Sequence, residues 1–278
     1  MISYAQNFED VLLNRLFPEN HKGFYIDVGA CHPTAGSVTA HFYLNGWSGI
    51  NVEPSCSYLH FRRERPRDVN LQLALSNRAG SAEFHEFPNM LGVSSFNRDI
   101  ASLAGTEFRT RTVEVSTLAE ICDRHARRPI DFVSIDVEGH EREVLEGADF
   151  ARFRPRALVI EATHPHTGAP AHENWEHLLL SADYVFACFD GLNRYYVRSE
   201  DRDLIPRLAV PPNVFDNFTS HSLYVSQVEA QELKLRLDTL EQIGPVSAAV
   251  ARRLNRLEQR LPALSNMLLK VRRKLRAT

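Results

Sequence analysis

The chain has 278 residues, 44% of them apolar, and a net charge of −3, enough for one substantial α/β domain with an appendage. Its four cysteines, Cys31, Cys56, Cys122 and Cys188, form no C-x-x-C pair, which excludes a zinc knuckle or a disulfide framework and predicts reduced thiols. The charge is uneven: from Val250 onward nine Lys or Arg face one acid, Glu258, leaving −11 on the rest, so nucleic acid is not expected as a partner of the body.

In chain order, residues 3–17 read as a helix, because Phe8, Val11, Leu12, Arg15 and Leu16 keep helical spacing and Pro18 stops it. Residues 23–29 form a first strand, an apolar run that reaches Asp27 and Gly29 before the small-residue turn Ala30 to Gly36. The segment 37–44 is predicted helical and closed by Asn45-Gly46. A second strand, residues 49–53, ends at Pro54, and a polar, Arg-rich helix runs through Arg65. The third strand spans residues 69–75.

Residues 82–87 and 112–115 alternate like edge strands, and the long polar loop between them, around Gly92 to Phe96, is expected to form a substrate-facing lid. Thr117 and Glu120 make a capping box for the helix that follows. Next comes a buried-type strand that ends in Asp136-Val137-Glu138-Gly139-His140, then a short helix, a strand over 157–161, a helix around 175–180, and two strands, 184–190 and 194–197, joined by Gly191-Leu192-Asn193. This alternation predicts a mostly parallel sheet covered by helices on both faces, with an antiparallel hairpin at one edge. The expected domains are residues 1–225 and a tail, 226–278, in which Leu233, Leu237 and Leu240 precede a break at Gly244-Pro245. A leucine-rich heptad seam then runs from Val250 to Leu275 and is interrupted by Pro262.

In an open parallel sheet a ligand binds beyond the carboxyl ends of the strands, and four acids fall there: Asp27, Glu53, Asp136 and Glu161. Glu53 stands where a carboxylate accepts both hydroxyls of an adenosine ribose. A diphosphate would need a G-x-G-x-x-G turn, yet only Gly29 and Gly36 occur in that region. An adenosyl cofactor without phosphates fits better. Asp136, Glu161 and His164 form a candidate site for a divalent cation such as magnesium. His166 is read as part of a solvated turn.

The turn at Asp27-Val28-Gly29 resembles that of class I S-adenosylmethionine-dependent methyltransferases. More narrowly, residues 3–10, 46–54, 74–76, 115–118 and 130–141 are together similar to the FkbM-type methyltransferases, most specifically in Asp136-Val137-Glu138-Gly139. The resemblance covers roughly residues 1–200, and it departs from the family pattern at the bulky Cys31-His32-Pro33. It implies a Rossmann-like methyltransferase fold, S-adenosylmethionine as cofactor, and O-methylation of a hydroxyl on a sugar of a glycan or glycosylated metabolite. Position by position, it implies that Asp27, Gly29 and Ala30 line the methionine end, Glu53 the ribose, and Ala74, Leu75 and Ser76 the adenine. Gln6, Glu9 and Asp10 close over the site, and Asp136, Glu138 and His140 face the transferring methyl, with His140 as the candidate base.

With no secretory leader in the opening residues and no window near the ~20 apolar residues of a membrane span, the expected location is cytoplasmic. The basic amphipathic tail is expected to drive homo-oligomerisation or docking to a glycan-assembly protein, or peripheral contact with the inner membrane face. Two other readings stand beside the methyltransferase: a Rossmann-type nucleotide-sugar oxidoreductase, disfavoured by the missing glycines, and a non-enzymatic coiled-coil scaffold with a degenerate cleft.

Overall fold

The computed structural model describes residues 1–87, 94, 96, 108–164 and 167–243. Strands β1 (Ile2–Ser3), β2 (Phe24–Val28), β3 (Ser48–Val52), β4 (Val69–Leu71), β5 (Ala74–Leu75), β6 (Gly80–Glu86), β7 (Arg109–Ser116), β8 (Phe132–Ile135), β9 (Ala157–Glu161), β10 (Tyr184–Phe189), β11 (Asn193–Arg198) and β12 (Thr219–Ser220) alternate with helices. The helices are α1 (Glu9–Asn14), α2 (Ala40–Leu44), α3 (Tyr58–Glu64), α4 (Leu118–His125), α5 (Glu141–Glu146), α6 (Glu176–Ser181) and α7 (His221–Ile243). Among the described residues, 3–218 form one compact unit and 219–243 belong to a second. In the latter, α7 begins at His221, ahead of the composition shift near Ser226, and the heptad seam from Val250 lies outside the described residues.

The main sheet has seven strands in the order β10-β11-β9-β8-β2-β3-β4. β9, β8, β2, β3 and β4 run parallel, while β11 is antiparallel to both β9 and β10, which gives the expected edge hairpin. Strand periodicity sorts the side chains onto two faces. Ile26, Ile50, Val133, Ile135, Leu158 and Ile160 point into one apolar layer with Leu118, Ile121, Val144 and Leu179 of the covering helices. Tyr25, Phe132 and Val159 point into the opposite layer with Leu12, Leu13, Leu16, Phe42 and Trp47. Burial of both faces is what makes these strands read as continuous apolar runs.

Two predicted elements differ. The N-terminal helix is confined to Glu9–Asn14, because Ser3 Oγ and the Tyr4 N–H both donate to the Asp10 carboxylate, at 2.6 and 2.7 Å, and hold the preceding chain extended. The segment 69–75 is two strands rather than one: β4 ends the large sheet, whereas β5 joins a separate sheet of order β5-β7-β6. The loop proposed as a lid, around Gly92 to Phe96, lies outside the described residues except for Ser94 and Phe96. The capping box forms as expected, with Thr117 and Glu120 bonding each other's backbone N–H at the start of α4.

A buried cation ties the first half of the sheet together. Arg65, at the end of α3, is only 2% exposed and lies near the rings of Tyr43 and Phe61. Its guanidinium donates to Thr39 Oγ1 (2.6 Å), Ser37 Oγ (2.8 Å) and the Pro33 carbonyl. Thr39 in turn donates to Asp27 Oδ2 at 2.6 Å. Nearby, the Asp68 carboxylate accepts from Tyr25 OH, Asn51 Nδ2 and the Gly49 N–H. Arg65→Met should therefore cost about 3–5 kcal/mol in urea denaturation, since Thr39, Ser37 and Pro33 lose a buried donor and Asp27 loses the nearby cation. Arg65→Lys should recover less than half of that, because one ammonium lacks the fork that spans Thr39, Ser37 and Pro33. A loss below about 1 kcal/mol for the Met variant would refute the anchoring role.

Candidate functional site

The carboxyl ends of β2, β3 and β8 open into a cleft of about 320 Å³, at the small end of the range for ligand pockets. Asp27, Gly29, Ala30, Glu53, Ala74, Leu75 and Gln6 line it, as do Asp136, Glu138 and Glu161. Phe84, Phe87 and Phe96 supply an aromatic wall on the side of the small sheet.

The first strand turns into the cleft under tight constraint. Gly29 has φ +78°, and a Cβ built on it would lie 1.8 Å from the Asp136 carbonyl oxygen. The glycine is therefore required by the end of the neighbouring strand β8, whatever ligand approaches. Cys31 follows in the left-handed region, at φ 56°, which is costly for a side-chain-bearing residue. Its N–H donates to Glu53 Oε2 at 2.8 Å, and Glu53 Oε1 accepts from the Ser55 N–H at 2.7 Å. Glu53 thus fastens the turn after β2 to the turn after β3, and burial raises its pKa against the pull of these hydrogen bonds. His32 Nδ1 accepts the N–H groups of Thr34 and Ala35, and Pro33 offers its carbonyl to Arg65. The bulky Cys31-His32-Pro33 segment is consequently a braced turn.

Asp136-Val137-Glu138-Gly139-His140 forms the opposite lip. Glu138 and Gly139 both take positive φ, 54° and 90°. Glu141, almost fully buried, holds this reversal by accepting the N–H groups of Val137 (3.2 Å) and Gly139 (3.0 Å) on Oε1. Burial pushes the Glu141 carboxyl up to about 7. Asp136 keeps a surface open to the cleft, yet protein atoms crowd round it on the other sides. That crowding, with repulsion from Asp27, raises its pKa, and a hydrogen bond to Glu161 opposes the rise. Glu138 is raised by burial and then by Asp136 and Glu141. Glu161 is raised by burial and then by all three. Asp27 is raised by burial as well, in spite of Thr39 and Arg65.

Five residues expected at the cleft are not among its lining residues. Ser76 and His140 face each other instead, with Oγ and Nε2 3.0 Å apart. The His140 ring also lies 4.8 Å from the Phe96 ring, and its Nδ1 lies 3.4 Å from Glu143 Oε2. Burial lowers the His140 pKa, and Glu143 opposes that. His164 is exposed. Glu9 and Asp10 do not line the cleft either: Glu9 accepts from the Asn7 N–H and Asn193 Nδ2, both at 2.8 Å, while burial raises it to about 7 and Asp10 to about 6. The divalent cation expected on Asp136, Glu161 and His164 is not supported. Among the described residues no group of three or more His, Cys, Asp or Glu has metal-holding geometry.

Sequence reasoning missed Arg65, which looked like one of several surface arginines, and the tie from Glu86 to the loop after β3. Glu86 accepts the Cys56 N–H at 2.8 Å and pairs with Arg111 at 3.0 Å. The edge-strand alternation around Ala82 to Phe87 was the available signal for that wall. No helix among the described residues is long and apolar enough to cross a membrane.

No curated protein matches the chain. A family model for the methyltransferase FkbM domain matches residues 27–186, from the acid that ends β2 through β9 and into β10. That match covers more than half of the chain and includes Asp27, Glu53, Asp136 and Glu161, and the protein belongs to the FkbM methyltransferase family.

Proposed function

We propose that this methyltransferase uses S-adenosylmethionine to methylate a hydroxyl, on a sugar of a glycan or glycosylated metabolite. The observation that carries the proposal is the set of carboxyls, Asp27, Asp136, Glu138 and Glu161, gathered in one cleft beyond parallel strands, with Glu53 at the next strand end. A floor this acidic suits a positively charged ligand and repels a diphosphate, which also counts against a nicotinamide dinucleotide. When bound, S-adenosylmethionine supplies an electrophilic methyl on a sulfonium.

The residues fit that donor in chemical terms. Asp27 and the Gly29–Ala30 backbone suit an ammonium and a carboxylate, and Glu53 keeps lone pairs free for ribose hydroxyls beyond the two backbone N–H groups it accepts. Ala74, Leu75 and Phe84 offer an apolar surface to a base. The aromatic wall suits the C–H face of a sugar, whose hydroxyls would then point toward the acids. For the hydroxyl, the protein must align the oxygen with the methyl and accept a proton, contributions of about 10²–10⁴-fold for the base alone. Ser76 and His140, bonded to each other behind Phe96, are suited to positioning that wall.

Calorimetry with S-adenosylmethionine and NAD tests this reading. Binding of the first alone is expected, NAD binding alone would overturn it, and binding of neither would favour a scaffold. Glu53→Gln should weaken S-adenosylmethionine affinity at least tenfold, about 1.4 kcal/mol, and unchanged affinity would remove the ribose contact. Asp136 and Glu138 carry raised pKa values and must ionise to meet a cation. Affinity should thus rise between pH 6 and pH 8, with protons released on binding; a flat profile would argue against the acidic floor as the recognition element. Methyl transfer should persist in EDTA, and its loss, restored by magnesium, would reinstate the cation.

A further inference from the structure

Parallel pairing of β8 with β9 aligns Ile135 with Ile160, so the next residues of the two strands, Asp136 and Glu161, emerge side by side at the cleft floor. Two buried carboxyls at adjacent strand ends repel each other when both are ionised, and burial with that repulsion raises both, so the pair holds one proton between them. Glu161 is otherwise short of donors: it is 7% exposed, and its buried Oε2 has no hydrogen-bond partner among the described residues. By contrast, Glu53, Glu141 and Glu9 each accept backbone or side-chain N–H groups. A buried carboxyl left without donors in a ligand cleft is a costly arrangement unless a ligand supplies one. His140, the candidate base by sequence, is engaged with Ser76 and Glu143 and is not among the lining residues.

We infer that the Asp136–Glu161 pair is the acceptor site of the transfer: the hydroxyl to be methylated donates its hydrogen to Glu161, and the pair takes that proton. The inference rests on the methyltransferase reading above. A carboxyl has two oxygens, and Glu161 Oε2 accepts from no donor among the described residues, which leaves it for the acceptor. As the methyl carbon leaves sulfur and bonds to the acceptor oxygen, the O–H bond breaks and its proton joins the pair, which passes from one proton to two. The sulfonium becomes a neutral thioether, so charge balances: one positive charge and one negative charge are lost together. Crowding of Asp27, Glu138 and Glu141 around the pair favours the doubly protonated product state.

The test uses the full chain with Glu161→Gln, Asp136→Asn and the double variant. In infrared difference spectra of the unliganded protein at neutral pH, each single variant should remove or shift a protonated-carboxyl stretch of the unmodified protein; unchanged spectra in both variants overturn the shared proton. Transfer from S-adenosylmethionine to a panel of simple methyl glycosides, followed as S-adenosylhomocysteine, should fall about 10²–10⁴-fold in kcat for either single variant. The double variant should lose no more than the worse single, as groups that act as a unit do. Losses that multiply, or a Glu161→Gln variant within about fivefold of the unmodified kcat, overturn the inference. So does failure of every glycoside with the unmodified protein, while calorimetry for S-adenosylmethionine on the same samples reports separately whether the donor reading stands.

Discussion

One buried guanidinium sets the geometry on which the cleft depends. Arg65 reaches from the end of α3 to Thr39, Ser37 and the Pro33 carbonyl, and through Thr39 to Asp27. A cation placed in the interior is tolerated only when its donors are satisfied, so the chain from 33 to 39 has little freedom to move without exposing an uncompensated charge. The same contacts moderate the burial of Asp27, the first acid of the floor. Fold and site are thus fastened by one side chain that touches no lining surface itself.

The floor carries an opposing tension. Asp27, Asp136, Glu138, Glu141 and Glu161 crowd into a region where burial and mutual repulsion all disfavour ionisation. Backbone N–H groups relieve Glu141, and Thr39 relieves Asp27, whereas Asp136 and Glu161 have chiefly each other. Left-handed conformations at Cys31 and Glu138, one on each lip, add backbone strain at the same place. Concentrated strain and unrelieved charge in one cleft, beside well-satisfied layers above and below the sheet, are the physical signature of a site kept for a ligand rather than for stability.

Much of this was legible in the chain. The strands are apolar runs ended by acids, and the sheet's period-2 sorting then follows, which is why Asp27, Glu53, Asp136 and Glu161 were located correctly at strand ends. What stayed hidden depends on partners distant in sequence. Arg65 looks like its neighbours Arg62 and Arg63 until Thr39 and Pro33 are brought to it. Cys31-His32-Pro33 makes sense only beside Glu53 and Arg65. The run 69–75 alternates apolar with polar residues through Leu71 and Leu73, as one strand would, so nothing local marks where it leaves one sheet for another. His140 follows the acids in sequence, but the reversal at Glu138 and Gly139 carries it to Ser76, away from the lining surface.

The contact between Gly29 and the Asp136 carbonyl has a further meaning. Because the backbone of β8 occupies the space a side chain at position 29 would need, the turn after β2 and the lip after β8 are interlocked. The width of the cleft floor is then gauged by one missing carbon atom. Side chains of the small sheet and the loop after β3 can be exchanged without disturbing that contact, while the spacing between Asp27 and Asp136 is set by backbone alone as a single rigid measure.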